Sequence, residues 1–102
     1  MPAFLPTGQS TGAGSVFQTE VTKTIAAGAA NRWIPLPGWY YFLGPVGADI
    51  VAQIIDSTSA WTSVNTAGTA PGAGAPVYCD GQSYGLLNNG VGNETIRYIQ
   101  VG

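Results

Sequence analysis

This chain of 102 residues predicts an all-β protein, most simply an antiparallel β-sandwich or a small jelly roll of about seven short strands. Short segments rich in aromatic and β-branched residues alternate in character with a period of two. Turn signals separate these segments, and the chain holds 15 Gly and 7 Pro. No segment predicts a helix of ordinary length. A partly open barrel is the competing architecture.

The N-terminal residues 1–15 predict an extended, flexible arm, because prolines and glycines leave no room for a regular element. Phe4 and Leu5 are apolar side chains within this arm. We expect them to bind another subunit, since a terminal arm is free to reach a neighbour. Packing on the parent domain and a disordered tail are the alternatives. Residues 16–102 are expected to form a single β-sandwich domain.

The strands follow from runs of alternating or β-branched residues between turns. They are predicted at 16–24, 39–43, 49–55, 60–64, 76–79, 83–87 and 94–101. The alanines of 26–31 predict a bend, because one turn around a central glycine is too short for a stable helix. Pro37-Gly38 fits a type II turn before the strongest strand.

The second half of the chain predicts a long loop followed by paired strands. Residues 66–75 contain no apolar side chain larger than alanine and predict a surface loop. Asp80-Gly81 is a tight-turn signal, so strand 83–87 is expected to pair back on strand 76–79 as a hairpin. In the last strand, Ile96 and Tyr98 are expected on one face and Arg97 on the other.

The charge content argues against an enzyme. Only 8% of residues are charged, against about 25% in typical domains, and there is no histidine. The lone Cys79 has no base to activate it and predicts a buried structural thiol. Asp56 and Asp80 predict turn-forming residues rather than a calcium loop. Nothing in the spacing of the acids brings two together, so no catalytic residue, metal site or cofactor is predicted.

Composition also limits the partners. Lys23, Arg32 and Arg97 are the three cations, and they are too scattered in sequence to predict a nucleic-acid or anionic-membrane surface. No apolar run reaches the length of about 18 residues that a transmembrane helix needs. The start lacks the features of a signal peptide, so the protein is expected to act where it is made. A net charge of −2 removes one barrier to self-association and predicts a homo-oligomer.

The aromatic residues are the candidate contact residues. Trp33 and Trp39 are candidates for contact with a sugar or a protein partner, because Trp and Tyr combine a large apolar surface with a polar group. Trp61 lies in mid-strand between Ala60 and Thr62 and is expected in the core.

A resemblance covers about two thirds of the chain, from Trp33 to Val101. Its pieces are Leu36–Tyr41, Val51–Asp56, Ser59–Val64, Val77–Tyr84 and Thr95–Val101. This succession of strands and turns resembles small virion structural proteins of tailed bacteriophages. The resemblance has no motif with a fixed role, so it transfers no functional residue to this chain.

The resemblance implies a capsid decoration (cement) protein, or a related head-tail accessory protein, with a β-sandwich body. Such a protein would bind the major capsid protein or other virion proteins, sit at symmetry axes as a homo-oligomer such as a trimer, and stabilise the shell. It would reside in the virion after assembly in the host cytoplasm. The alternative is a carbohydrate- or receptor-binding module of a phage fibre or tail, which would present a strip of exposed aromatic side chains.

Overall fold

A computed structural model describes residues 19–102, which fold into seven β-strands and one turn of 3-10 helix. The strands are β1 (Glu20–Ile25), β2 (Gly38–Leu43), β3 (Ile50–Ile55), β4 (Trp61–Ser63), β5 (Val77–Cys79), β6 (Tyr84–Asn88) and β7 (Glu94–Gln100), with the 3-10 turn at Ala29–Asn31. The all-β prediction is confirmed. The predicted arm, with Phe4 and Leu5, lies outside the described residues.

The strands form two antiparallel sheets that pack as a sandwich. The four-stranded sheet has the order β1-β7-β2-β5, and the three-stranded sheet has the order β4-β3-β6. Beyond β6, Trp33 forms an isolated bridge with Leu86, with N–H to carbonyl distances of 3.0 and 2.8 Å. The segment around Trp33 therefore extends the second sheet, and the antiparallel sandwich prediction is confirmed.

The core lies between the sheets and is built from inward-facing residues of every strand except β4. Its buried members are Ile25, Tyr40, Phe42, Ile50, Ala52, Cys79, Tyr84, Leu86 and Ile96. The predicted alternation in β7 is confirmed, because Ile96 is fully buried and Tyr98 packs against the core, while Arg97 lies on the outer face. Burial of a side chain such as Leu86 or Ile96 contributes roughly 2 kcal/mol.

The prediction of a hairpin at Asp80-Gly81 is wrong. Strand β5 pairs with β2 and strand β6 pairs with β3, so this turn carries the chain from one sheet to the other. Asp80 Oδ1 accepts hydrogen bonds from the N–H groups of Gln82 at 2.9 Å and Ser83 at 2.7 Å, and the Ser83 hydroxyl donates to Oδ2. The Asp80 carboxylate thus stabilises the turn between β5 and β6, and these two flanking strands pair with different sheets rather than with each other.

Asn88 is a fully buried polar residue that joins the two sheets at one end of the sandwich. Its Nδ2 donates to the carbonyl oxygens of Ile25 at 2.8 Å and Gly92 at 2.7 Å. Its Oδ1 accepts from the N–H of Gly90 at 2.9 Å. The amide thus connects the end of β1 to β6 and to the turn before β7, and its hydrogen-bonding groups are satisfied in the interior.

Within residues 19–102, no helix is long and apolar enough to cross a membrane.

Candidate binding face

The outer side of the four-stranded sheet presents a group of aromatic and aliphatic side chains. In β2 and β7 they alternate with the buried residues, and they face solvent because strand side chains point to opposite faces in turn. We call this surface the aromatic face, and it consists of Trp39, Tyr41, Tyr78, Ile99 and Val101. Large exposed apolar groups on one face of a sheet mark candidate interaction surfaces.

Trp39 and Tyr78 are the most exposed aromatic pair of this face. Their Cα positions are opposite each other in the β2–β5 ladder. The ring centroids lie 5.4 Å apart with an interplanar angle of 62°, which is the edge-to-face arrangement that aromatic pairs prefer. Trp39 is 48% exposed and Tyr78 is 52% exposed. Each ring therefore packs on the sheet with one half and offers the other half to a partner.

The backbone holds Trp39 firmly in the sheet. Its N–H donates to the Gly102 carbonyl at 3.0 Å, and its carbonyl accepts from the Val101 N–H at 2.8 Å. The end of the chain therefore continues the pairing of β7 with β2. A side chain fixed on a paired strand loses little conformational entropy when it binds, so this face is already organised for contact.

Charge is confined to the β1 side of this outer surface. Among the outward positions of the four strands, the charged residues are Glu20 and Arg97, whose side chains form an ion pair at 2.9 Å. Arg97 also donates to the Gly44 carbonyl. An exposed pair of this kind contributes about 0–1 kcal/mol to stability. The aromatic face itself carries no charged side chain.

Trp33, the other candidate contact residue, lies elsewhere. It is half-buried against the core, with ring centroids 5.2 Å from Tyr98 and 6.4 Å from Tyr40. The Lys23 ammonium lies 5.4 Å from the centre of the indole. The fold therefore separates Trp33 from Trp39, and of these two candidates Trp39 belongs to the exposed face.

The expectation that Trp61 lies in the core is wrong. Strand β4 is a three-residue edge strand, and Trp61 packs on the outer side of the three-stranded sheet. The Arg32 guanidinium carbon lies 4.4 Å from the centre of its ring, and Arg32 Nε donates to Gln53 Oε1 at 3.0 Å. This stack needs a glycine beneath it, because a Cβ at Gly85 would lie 2.7 Å from Arg32 Cδ. The indole thus serves as a platform for a cation.

Asp56 stabilises a turn through its carboxylate, as predicted. Its Oδ1 accepts from the Thr58 hydroxyl at 2.6 Å and from the N–H groups of Thr58 at 2.8 Å and Ala60 at 3.1 Å, while Oδ2 accepts from the Thr62 hydroxyl at 2.6 Å. The Thr58 and Thr62 hydroxyls, followed by the backbone N–H groups, hold the pKa of the Asp56 carboxyl well below its usual range. All of these donors come from its own turn and the following strand.

Sequence spacing did not predict that two acids, Asp49 and Glu94, lie close together in the fold. Glu94 Oε1 accepts from the Asp49 N–H at 2.8 Å, across 45 positions of sequence. Asp49 Oδ2 and Glu94 Oε2 would lie 2.6 and 2.9 Å from a Cβ built on Gly90, so both carboxylates surround this glycine. In the described part of the chain, however, no group of three or more His, Cys, Asp or Glu residues is arranged to hold a metal ion.

Cys79 is a fully buried thiol, as predicted. Burial, and then the charge of Asp80, raises the pKa of this thiol to about 11. The thiolate, which is the reactive form, is therefore scarce at neutral pH.

Comparison with protein-family models, with curated proteins and with solved structures found no match to this chain.

Proposed function

We propose that this protein is a non-enzymatic structural protein of a phage virion, a capsid decoration (cement) protein that binds the shell through its aromatic face. The observation that carries the proposal is the half-exposed Trp39–Tyr78 pair on a rigid sheet. The phage shell as partner rests on the sequence resemblance of residues 33–101. The aromatic face supplies the contact surface that such a partner requires.

The aromatic pair is large enough to anchor an interface. A Trp or Tyr side chain buries about 150–250 Å² when fully covered, so covering the exposed halves of both rings buries roughly 200 Å². At about 25 cal/mol per Å², this contributes on the order of 5 kcal/mol before the entropy cost of association. Trp and Tyr are the residue types that most often dominate protein interfaces. Because this face carries no charged side chain, binding to it does not require the removal of a charged group of this protein from water.

A shell presents many identical sites, and an oligomer uses several of them together. Joining weak single contacts in a homo-oligomer raises the overall affinity without any new contact, provided that the sites can be reached at the same time. The low net charge of −2 allows copies to associate. We therefore propose a homo-oligomer, for example a trimer, bound to the major capsid protein or another virion protein.

The direct test is co-sedimentation with shells of the encoding phage from which this protein has been removed. Trp39→Ala and Tyr78→Ala are each expected to weaken attachment about 30-fold, the change that corresponds to a hot-spot loss of about 2 kcal/mol. Val91→Ala is the control, because Val91 is fully exposed and lies in the turn between β6 and β7. Full occupancy by the Trp39→Ala, Tyr78→Ala double variant would show that this face does not bind the shell.

The N-terminal arm is a second proposed contact with the shell. Removal of residues 1–15, which contain Phe4 and Leu5, is expected to lower occupancy on the same particles. Full occupancy of the shells by the shortened protein would show that the arm has no role in attachment. This outcome is independent of the test of the aromatic face.

The alternative function is a carbohydrate- or receptor-binding module of a phage fibre or tail. The same exposed Trp39–Tyr78 pair favours it, because an aromatic ring offers a flat apolar surface to the C–H groups of a sugar. A glycan array separates the two functions. Hits that disappear with Trp39→Ala would support the module, whereas an empty array together with binding to shells would support the decoration protein.

A further inference from the structure

A groove of about 340 Å³ lies between the edge of one sheet and a neighbouring segment of the other. Its lining residues are Lys23, Thr24, Ile25, Ala26, Asn31, Arg32, Trp33 and Ile34. The first four belong to β1 and the chain just after it, and the last four form the segment that bridges to β6 through Trp33. The groove is therefore the open side of the sandwich between the two sheets.

Strand β1 presents an unpaired edge to this groove. It pairs with β7 on one side, and no strand within residues 19–102 pairs with its other side. Alternate residues of an edge strand direct their N–H and carbonyl groups outward, where an added strand can bind them. An extended peptide recognises such an edge through its main chain, and neighbouring pockets select its side chains.

The groove also carries a positive charge, that of Lys23. Lys23 and Arg32 are both lining residues. The Arg32 guanidinium, however, lies over Trp61 on the outer side of the three-stranded sheet, with its Nε bound to Gln53. The Lys23 ammonium is therefore the charge that the groove offers to a ligand. Among residues 19–102 the ion pair is Arg97–Glu20, so neither Lys23 nor Arg32 has a carboxylate partner there. Both cations lie over indole rings, Lys23 over Trp33 and Arg32 over Trp61, which holds them in place.

Four of the five acids of this chain are engaged elsewhere in the molecule. Residues 1–18 contain no Asp or Glu. Asp56 and Asp80 are bound within their own turns, Glu20 pairs with Arg97, and Glu94 binds the backbone of Asp49. Pairing of two β1 edges in antiparallel fashion would also bring Lys23 of both copies to the same region, and like charges oppose such pairing.

From these observations we infer that the β1 edge and its groove bind an extended acidic segment of a partner protein. The segment adds as a strand beside β1, one of its carboxylates pairs with the Lys23 ammonium, and an apolar side chain packs over Trp33 and Ile34. This site is distinct from the aromatic face. Strands β1 and β5 are the opposite edges of one sheet, about 14 Å apart at the usual strand spacing, so both sites can be occupied together.

The test uses the full chain and a synthetic eight-residue peptide in which valine alternates with glutamate. A peptide with glutamine in place of glutamate is the control ligand. Fluorescence polarisation at low salt is expected to show about fivefold to tenfold tighter binding of the acidic peptide, because a charge contact with Lys23 is added. Equal binding of the two peptides, or no binding of the acidic one, would overturn the inference.

Variants locate the site. Lys23→Gln is expected to weaken binding of the acidic peptide about fivefold to tenfold, and Lys23→Glu is expected to restore affinity for a peptide with lysine in place of glutamate. Arg97→Gln is the matched control, since Arg97 is a cation outside the groove, and it should change binding less than about twofold. An effect of Arg97→Gln equal to that of Lys23→Gln would show a general charge effect and overturn the proposed site.

Hydrogen exchange of the β1 amides tests the competing occupants. In the free full chain, the outward-facing amides of 20–25 are expected to exchange fast, and they should slow when the acidic peptide binds. Slow exchange of all of them in the free protein at every concentration would mean that another part of the same chain covers the edge. Protection that appears only at high protein concentration would mean a second copy. Either result would overturn the inference.

Discussion

Replacement of Asn88 by alanine is expected to produce the largest stability loss among single polar substitutions in the described residues. Asn88 is fully buried, and its side chain makes three hydrogen bonds to backbone groups of three separate segments. Alanine removes all three at once and leaves the two carbonyls of Ile25 and Gly92 and the N–H of Gly90 without their partner. The loss therefore comes from unsatisfied groups rather than from apolar area.

The magnitude follows from the surroundings of each group. The Ile25 carbonyl is buried, and leaving it unsatisfied costs about 1–3 kcal/mol. The bonds to Gly90 and Gly92 are partly buried, so water can replace part of each, and their loss costs about 0.5–1 kcal/mol apiece. The expected decrease in the free energy of unfolding is about 3 kcal/mol. This is a large share of the 5–15 kcal/mol that is typical of a whole domain.

Urea unfolding followed by tryptophan fluorescence measures this decrease. Asn89→Ala is the control, because the neighbouring side chain is exposed, and it should shift the free energy of unfolding by less than about 0.5 kcal/mol. A decrease below about 1 kcal/mol for Asn88→Ala would refute the reasoning, since it would mean that the three backbone groups find other partners at little cost.

Asn88→Asp probes the same site with pH. The carboxyl of this variant would face two carbonyl oxygens in the interior, so its folded-state pKa would be raised above the usual value of about 3.9. The unfolded state then releases its proton first, and the deficit relative to wild type is expected to grow as pH rises from 4 to 7. A deficit that is constant with pH would contradict the direction in which the Asn88 amide donates.

Three further predictions concern a thiol, an acid and a glycine. Cys79 should react with a thiol reagent far more slowly in the native protein than in denaturant, because a pKa of about 11 instead of 9.0 makes the thiolate roughly 100-fold scarcer; equal rates would contradict its burial. Asp80 has a pKa of about 2 in the fold against a usual 3.8, so its contribution to stability is present above pH 3.8 and is lost as pH falls toward 2. Asp80→Asn should therefore flatten the acid side of the urea-midpoint profile, and parallel profiles would count against this. Gly85→Ala should lower the free energy of unfolding by about 1–2 kcal/mol, because the new methyl group displaces Arg32. Gly92→Ala, where a Cβ meets nothing within 4 Å, is the matched control.

The positions of the strands were predictable because local sequence decides which side chains face the core. In β7 the alternation of apolar and polar residues gave both the strand and its buried face, with Ile96 inward and Arg97 outward. The bend at 26–31 was also expected, and the structure has only a single 3-10 turn there, at Ala29–Asn31. These features depend on neighbours a few positions away in sequence.

Strand pairing was less predictable because it depends on distant segments. Asp80-Gly81 indicates a turn, but the same signal serves a two-residue hairpin and an open turn between sheets. The decisive contacts are the three donors from Gln82 and Ser83 to the Asp80 carboxylate, together with the pairing of β5 to β2. Trp61 was misplaced for a related reason, since only the assembled sheet shows Arg32 covering its ring.

The candidate sites combine predictable and unpredictable parts. Trp39 was a candidate contact residue from sequence, but its exposed partner Tyr78 lies 39 positions later and is brought beside it by the β2–β5 ladder. From sequence alone, Lys23 and Arg32 are scattered charges. They line one groove because β1 and the segment before β2 belong to different sheets that meet at this edge.

Salt provides a test of whether these two surfaces act separately, because they bind by different physics. The aromatic face carries no charge, so its contribution comes from apolar burial, which moderate salt changes little. The groove depends on Lys23, which is partly accessible to solvent and is therefore screened once the Debye length falls from about 30 Å at 0.01 M to about 8 Å at 0.15 M ionic strength. Raising the salt over this range should weaken binding of the acidic peptide severalfold and leave attachment through Trp39 and Tyr78 nearly constant. An equal loss of peptide binding and of attachment through Trp39 and Tyr78 would mean that both depend on charge. The division of the molecule into an apolar site and a charged site would then be wrong.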